Sequence, residues 1–335
     1  MKASPAFVVF FIINALLGFA ACAFAAKAEI TKEKLQSYYK SVVSISSKVP
    51  IEARTAKSLG IERMGNGVII DGKHILTIGY LVIESSEIQI GFASGRTLPG
   101  KLVGYDHYSG FGIIKPILPI SLTPLQMGDS DQIELDDPLF ILPSPQQGVG
   151  SKVKMVSRRS FAGWWEYYLE KPIYTFPVNQ SWAGAPLLSL NGKILGIGSL
   201  FVVDSISRGV LSPGNMFVPI NLLKPILNDL KTYGRRKSDI KPFLGVSSED
   251  SSGKIIVTRV SQGGPSYKAG LKPKDIIKTV NGVQVSGLKE FYKKVWSSSD
   301  VGSIITLGID RKGVNLIISV KSGDRMDHFV KPKSF

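Results

Sequence analysis

The chain has 335 residues, 44% of them hydrophobic and 20% charged, and a net charge of +15, which fits globular protein of about two domains. Its single cysteine, Cys22, excludes a disulfide framework and a cysteine-ligated metal. No nucleic-acid reader motif accompanies the basic balance, so nucleic acid is excluded as a partner and the charge points instead to anionic membrane surfaces or acidic peptides.

Residues 1–25 read as a signal peptide, with Lys2, an apolar stretch from Ala6 to Ala26 and small residues ending at Ala23-Phe24-Ala25. The stretch exceeds the ~7–15 residues of a usual signal core, so an uncleaved membrane anchor is the alternative. Lipid attachment at Cys22 is disfavoured by Phe19 three places earlier. After residue 30 no apolar run is long enough to span a bilayer.

Residues 31–40 predict a short helix and 41–46 a first strand. Strand-like runs follow at Gly67–Ile70, His74–Ile78, Glu87–Phe92, Thr97–Tyr105, Gly112–Lys115, Pro138–Leu142, Lys152–Ser157, Ile173–Phe176, Lys193–Phe201 and Gly214–Val218. Short strands at close intervals with regular turn signals mean a sandwich or barrel. At 219–230 the spacing turns helical, with Ile220, Leu223, Ile226, Leu227 and Leu230 on one face, and closes a first domain over 31–230. The segment 231–240 is a basic linker in which Lys231, Arg235, Arg236 and Lys237 cluster with Lys241 just beyond. A second domain over 241–325 contains helices at Ser266–Ala269 and Leu288–Ser297, a strand at Ile276–Asn281, and two closing strands, Ser303–Asp310 and Val314–Val320, around a hairpin turn at Arg311-Lys312-Gly313. Residues 326–335 read as a mobile tail.

In the second domain "FLGV", "GGPSYKAGLKPKD" and "IIKTVNG" occur in order and resemble a bacterial PDZ domain. In the first, "GNGVIIDGKHILT", "VGYDHYSGFGIIK", "GAPLLSLNGKILGIG" and "NMFVPINLLKPIL" match, in order, landmarks of the HtrA/DegP family of exported serine proteases. The resemblance spans about residues 36–325. It implies a mainly β fold, a chymotrypsin-like double β-barrel followed by a PDZ domain, in the bacterial periplasm or cell envelope. It also implies a trimer, for which Tyr38 and Tyr39 are candidate contacts.

Acyl transfer of this type needs a hydroxyl nucleophile, an imidazole to move its proton and a carboxylate to orient the imidazole. The resemblance puts the nucleophile's place at Ala183, the histidine's at Tyr80 and the aspartate's at Gly110, so all three groups are absent. Tyrosine, with a pKa near ~10, is a poor base at neutral pH. The oxyanion-hole places are Ser181 and Ala183, and the second following glycine of the family pattern is Ala185. Ser181 and Ser199 are the displaced nucleophiles that could be imagined, without an identifiable base. His74, His107 and His328 match no metal motif, and no cofactor is expected. Tyr80 and Trp182 would put two aromatic rings where the reactive centre lies in relatives, to plug the cleft or to grip a peptide. The aromatic run Phe161–Tyr168 falls where active relatives have regulatory loops, and reads as a partner surface or as core.

Phe243, Leu244, Gly245 and Val246 are the expected peptide site of the PDZ domain. Their backbone N–H groups would receive a terminal carboxylate, the ligand would add as a strand, and Lys241 would add positive charge. The alternative is a groove unused or blocked by its own chain. Lys274 stands where the family pattern has glycine, which suggests a reshaped turn. The expected function is that of a non-catalytic HtrA-like protein binding unfolded or C-terminal peptides of envelope proteins, as adaptor, scaffold or chaperone. The alternative is an active serine endopeptidase with a rearranged site.

Overall fold

The computed structural model describes residues 30–121, 123–297 and 299–330. The predicted signal peptide and Cys22 lie outside the described residues, and among these no helix is long and apolar enough to cross a membrane. Helix α1 (Lys32–Tyr39), whose first turn is capped by the Thr31 side chain, leads into β1 (Val42–Lys48). After α2 (Ala56–Leu59) come β2 (Glu62–Ile69), β3 (Ile75–Ile78), β4 (Glu87–Gly91), β5 (Thr97–Tyr105) and β6 (Phe111–Pro116). Hydrogen bonding in the order β1-β2-β3-β6-β5-β4 closes them into a barrel, because β1 also pairs with β4. Alternate residues of β4, Ile88 and Ile90, point inward, the period of a half-buried strand. Closure needs glycine at Gly67, where an added Cβ would stand 2.6 Å from Ile75 Cγ2.

The second barrel uses β7 (Pro138–Ile141), β8 (Ser151–Ser157), β11 (Ile173–Phe176), β12 (Pro186–Leu188), β13 (Ile194–Val202) and β14 (Gly214–Pro219), in the order β11-β14-β13-β12-β7-β8. Between β8 and β11 a separate two-stranded hairpin, β9 (Phe161–Gly163) and β10 (Tyr167–Leu169), leaves the barrel. The expected helix at 219–230 is broken. A 3₁₀ turn at Ile220–Leu222 precedes α3 (Leu227–Tyr233), and Pro225, which cannot donate a helical hydrogen bond, separates them.

The PDZ domain is a sheet in the order β15-β16-β17-β19-β20, where β15 is Val246–Ser251, β16 Lys254–Val260, β17 Ile276–Val280, β19 Ile304–Arg311 and β20 Val314–Lys321. The short β18 (Val283–Gln284) pairs with β17. Of its helices, α4 (Pro265–Lys268) is one turn. The longer α5 (Leu288–Ser297) buries Leu288, Phe291, Tyr292 and Val295, the i, i+3, i+4, i+7 stripe of an amphipathic helix. Lys274 adopts φ +75°, a left-handed conformation that favours glycine, and its N–H donates to Val257 O.

The expected basic linker is part of the folded body, with Lys231 on α3. Lys231 pairs with Asp71 and Arg235 with Asp324. Arg236 grips the buried Asp106 with two bonds of 3.0 and 3.1 Å, and Lys241 pairs with Asp239. These four charges are therefore paired within the chain, while the Lys237 ammonium stands over the Tyr233 ring. The expected mobile tail is docked as far as it is described. Helix α6 (Arg325–His328) sets His328 against the Phe243 ring, and Val330 N–H donates to Glu84 Oε1 at 2.7 Å.

Candidate functional site

The cleft lies between the barrels and under the PDZ domain. A cavity of about 730 Å³ opens there, lined among others by Tyr80, Gly110, Ser199, Trp164 and Arg325. Tyr80 sits on a 3₁₀ turn, Gly79–Leu81, directly after β3. Its carbonyl is held by Arg63, a buried guanidinium whose pKa burial lowers to about 10 despite the nearby Glu84. Its hydroxyl donates to Ser199 O at 3.0 Å and so ties the first barrel to β13 of the second. Burial raises the phenol well above its usual pKa. Tyr80 is thus a fixed neutral donor, with no capacity to serve as a base at neutral pH.

Gly110 has φ +82°, and a Cβ there would stand 3.1 Å from Tyr167 Oη and 3.3 Å from Ile78 Cδ1. Tyr167 fills the neighbouring space and donates to Ser109 O. The buried Asp106, four residues earlier, is committed to Arg236 and to the Ser109 N–H and hydroxyl. Ala183 lies on a turn clamped by Asn66, whose Nδ2 donates to the carbonyls of Ser181 and Ala183 while its Oδ1 accepts from Ser144 N–H. Ser181 N–H donates to Asn179 Oδ1, so this oxyanion-hole donor is already engaged. Its hydroxyl donates to Gln147 O at 2.6 Å, while Ser199 is buried.

None of the histidines supplies an available imidazole beside these serines. His74 pairs with Asp71 before β3. His107 is buried, with Nδ1 facing Tyr105 Oη at 2.9 Å and Nε2 facing Glu166 O at 3.2 Å. Burial, and then the Arg325 charge, pushes its pKa well below the ordinary value, so it stays neutral. Among the described residues no group of three or more potential ligands could hold a metal ion. Trp182 packs near the Phe201 ring, while Tyr80 lines the cavity. Tyr38 packs over Gly192 and Tyr39 accepts from Gly150 N–H, so both expected oligomer contacts serve the chain's own barrels.

The expected peptide site does form a carboxylate cradle, but the chain itself occupies it. Leu244 N–H donates to Glu166 Oε1 at 3.0 Å and Gly245 N–H to Oε2 at 3.2 Å. Gly245 has φ +77°, a left-handed backbone that glycine adopts without strain. The cation beside the carboxylate is Arg325, 2.5 Å from Oε2. Lys241 pairs with Asp239, and Arg325 is the cation in contact with this carboxylate. Burial raises the Glu166 pKa, and Arg325 with the N–H groups of Leu244, Gly245 and Val246 opposes that rise. The aromatic run is therefore the β9–β10 hairpin lying in the chain's own groove. Glu166 and Arg325 were missed in the sequence, where the signal was a lone acidic residue inside "FAGWWEYY".

Residues 65–197 match the trypsin-like peptidase domain family and residues 242–322 the PDZ domain family. The periplasmic serine endoprotease DegP of Escherichia coli is 28% identical over 283 residues, covering 79% of this chain and 58% of that protein. The periplasmic pH-dependent serine endoprotease DegQ of Escherichia coli is 27% identical over 282 residues, covering 77% of this chain and 59% of its own length. The chain thus spans less than two thirds of these curated relatives. The crystal structure of the serine endoprotease from Yersinia pestis matches with a TM-score of 0.53 at 22% identity, covering 87% of this chain and 96% of that one. The HtrA-type protease AlgW with tripeptide matches with a TM-score of 0.51 at 20% identity, covering 87% and 96%. Two closed barrels followed by a PDZ sheet, with a trypsin-like peptidase domain and a PDZ domain matched in that order, support the HtrA/DegP-type trypsin-like serine protease family with a PDZ domain as the family this chain resembles.

Proposed function

We propose that this protein is a non-catalytic HtrA-like protein that binds peptides or protein C termini through its PDZ domain, as adaptor, scaffold or chaperone in the cell envelope. One observation carries the reading. The three places where the family resemblance expects nucleophile, base and orienting carboxylate hold Ala183, a Tyr80 hydroxyl bonded to Ser199 O, and a Gly110 with left-handed backbone. No proton path joins them. The envelope location follows the relatives whose names describe periplasmic enzymes.

The test is incubation of the purified protein with unfolded casein beside Ser181→Ala and Ser199→Ala variants. No cleavage by any form is expected. Cleavage that survives repurification and disappears in one variant would overturn the reading and identify a relocated nucleophile.

A further inference from the structure

The contacts of Glu166 are those a PDZ groove makes to the end of a chain. Its carboxylate accepts from Leu244 and Gly245, and Arg325 balances its charge. Two residues before it, Trp164 O accepts from Ser248 N–H at 2.9 Å. The turn of the hairpin therefore crosses the groove in the antiparallel sense, with one main-chain bond to β15 where an added strand would pair. On the opposite wall Tyr292 of α5 donates to Gly163 O at 2.7 Å and accepts from Glu166 N–H. Ala162 and Tyr168 also pack on the PDZ core.

We propose that the Glu166 hairpin is an internal ligand that closes the PDZ groove, and that its displacing partner is a polypeptide ending in a free carboxylate. This rests on the peptide-binding reading above. The occupant is argued from the cradle itself, since two main-chain donors and one guanidinium converge on a single carboxylate. A main-chain terminus offers the same two oxygens while keeping the strand pairing to Ser248. The hairpin is also built to leave. Its strands have three residues each and belong to neither barrel, and Glu166 holds φ +55°, a strained conformation for a non-glycine residue. An external chain meets no such strain, but competes with a tethered group at an effective concentration of roughly millimolar. Its apparent affinity is reduced by the fraction of grooves that are open.

Displacement would reach the cleft. Glu166 O faces His107, and the next residue, Tyr167, donates to Ser109 O beside Gly110. Trp164 and Trp165 line the 730 Å³ cavity.

The experiment uses the purified protein and a fluorescein-labelled peptide Ser-Phe-Ala-Gly-Trp-Trp-Ala. This copies the hairpin with a terminal carboxylate two residues after the pairing tryptophan carbonyl, and an amidated twin serves as control. Anisotropy titrations on wild type, Glu166→Ala and Glu166→Gln are paired with amide exchange at Leu244, Gly245 and Ser248. The expected result is at least a tenfold gain in affinity for the carboxylate peptide in both variants, no binding of the amide, and faster exchange of the three amides. Glu166→Gln keeps the side-chain shape and secures the comparison if the alanine variant folds poorly. Equal carboxylate-selective affinity and unchanged exchange in all forms would overturn the internal ligand and leave peptide binding standing. Faster exchange without carboxylate binding by any form would overturn the peptide-binding reading, and the displacement with it.

Discussion

Restoring a carboxylate at the third triad place should damage the fold. At Gly110 the backbone has φ +82°, and the left-handed conformation costs a non-glycine residue about 1 kcal/mol. A Cβ 3.1 Å from Tyr167 Oη and 3.3 Å from Ile78 Cδ1 is tightly packed against both, which adds about 1–3 kcal/mol. The carboxylate would enter among buried aromatic groups without a free cation, since Arg236 is bonded to Asp106, at a further cost of about 1–3 kcal/mol. Gly110→Asp should therefore lose roughly 3–7 kcal/mol in all, and at about 2–4 °C per kcal/mol its barrel transition should fall by no less than about 6 °C. Gly110→Ala, which carries only the backbone and packing parts, should fall between it and wild type. The assay is thermal unfolding by calorimetry. Both variants melting within about 2 °C of wild type would mean that the position can seat a side chain, and the argument from backbone conformation and crowding would be refuted.

Asn66→Ala removes bonds to Ser181 O, Ala183 O and Ser144 N–H. At about 1 kcal/mol each it should cost roughly 2–4 kcal/mol in chemical denaturation. Lys274→Gly relieves φ +75° at the PDZ turn and should raise the urea midpoint of that domain by a gain of about 0.5–1 kcal/mol. Burial pushes the Asp275 carboxyl up, but the paired bonds from Arg311 and the Lys272 N–H outweigh it and leave the pKa lowered. A carboxylate with a lowered folded-state pKa contributes stability that is complete above its unfolded value and lost as pH falls below it. PDZ stability should therefore drop in acid from about pH 4 downward, by a smaller margin in Arg311→Ala, in denaturation curves at successive pH values.

Much of the fold was legible because local signals agreed with tertiary structure. The span Thr97–Tyr105 is β5 as expected, and the apolar spacing of Leu288–Ser297 gives the whole of α5. Strands β9, β10 and β12 were not foreseen, since each has three residues and too short a pattern for alternation to show. Family landmarks led to Tyr80, Gly110 and Ala183 as side-chain identities. What they do is set by distant chain, the Ser199 carbonyl for Tyr80 and the Tyr167 ring for Gly110. Lys241 drew attention as the nearest cation in sequence to the PDZ loop, yet Arg325, some 80 positions beyond the loop, folds back to fill that role. Charge in a linker likewise reads as solvated until its partners are visible, and here they are the carboxylates of Asp71, Asp106 and Asp324.

The contacts beside Gly110 and the filled PDZ groove are held by neighbouring residues of one hairpin. Tyr167 turns toward the first barrel, where its hydroxyl bonds Ser109 O and its ring stands against Gly110. Glu166 turns toward the PDZ loop. The two are adjacent in the chain, so on the proposal above a partner that lifts Glu166 out of its cradle also pulls on the Tyr167 contact beside Gly110. An active protease would use such a linkage to pass ligand occupancy to its catalytic groups. On the non-catalytic reading proposed above, the linkage changes the shape of the cleft, and the output of peptide binding is a surface presented to another protein rather than a rate.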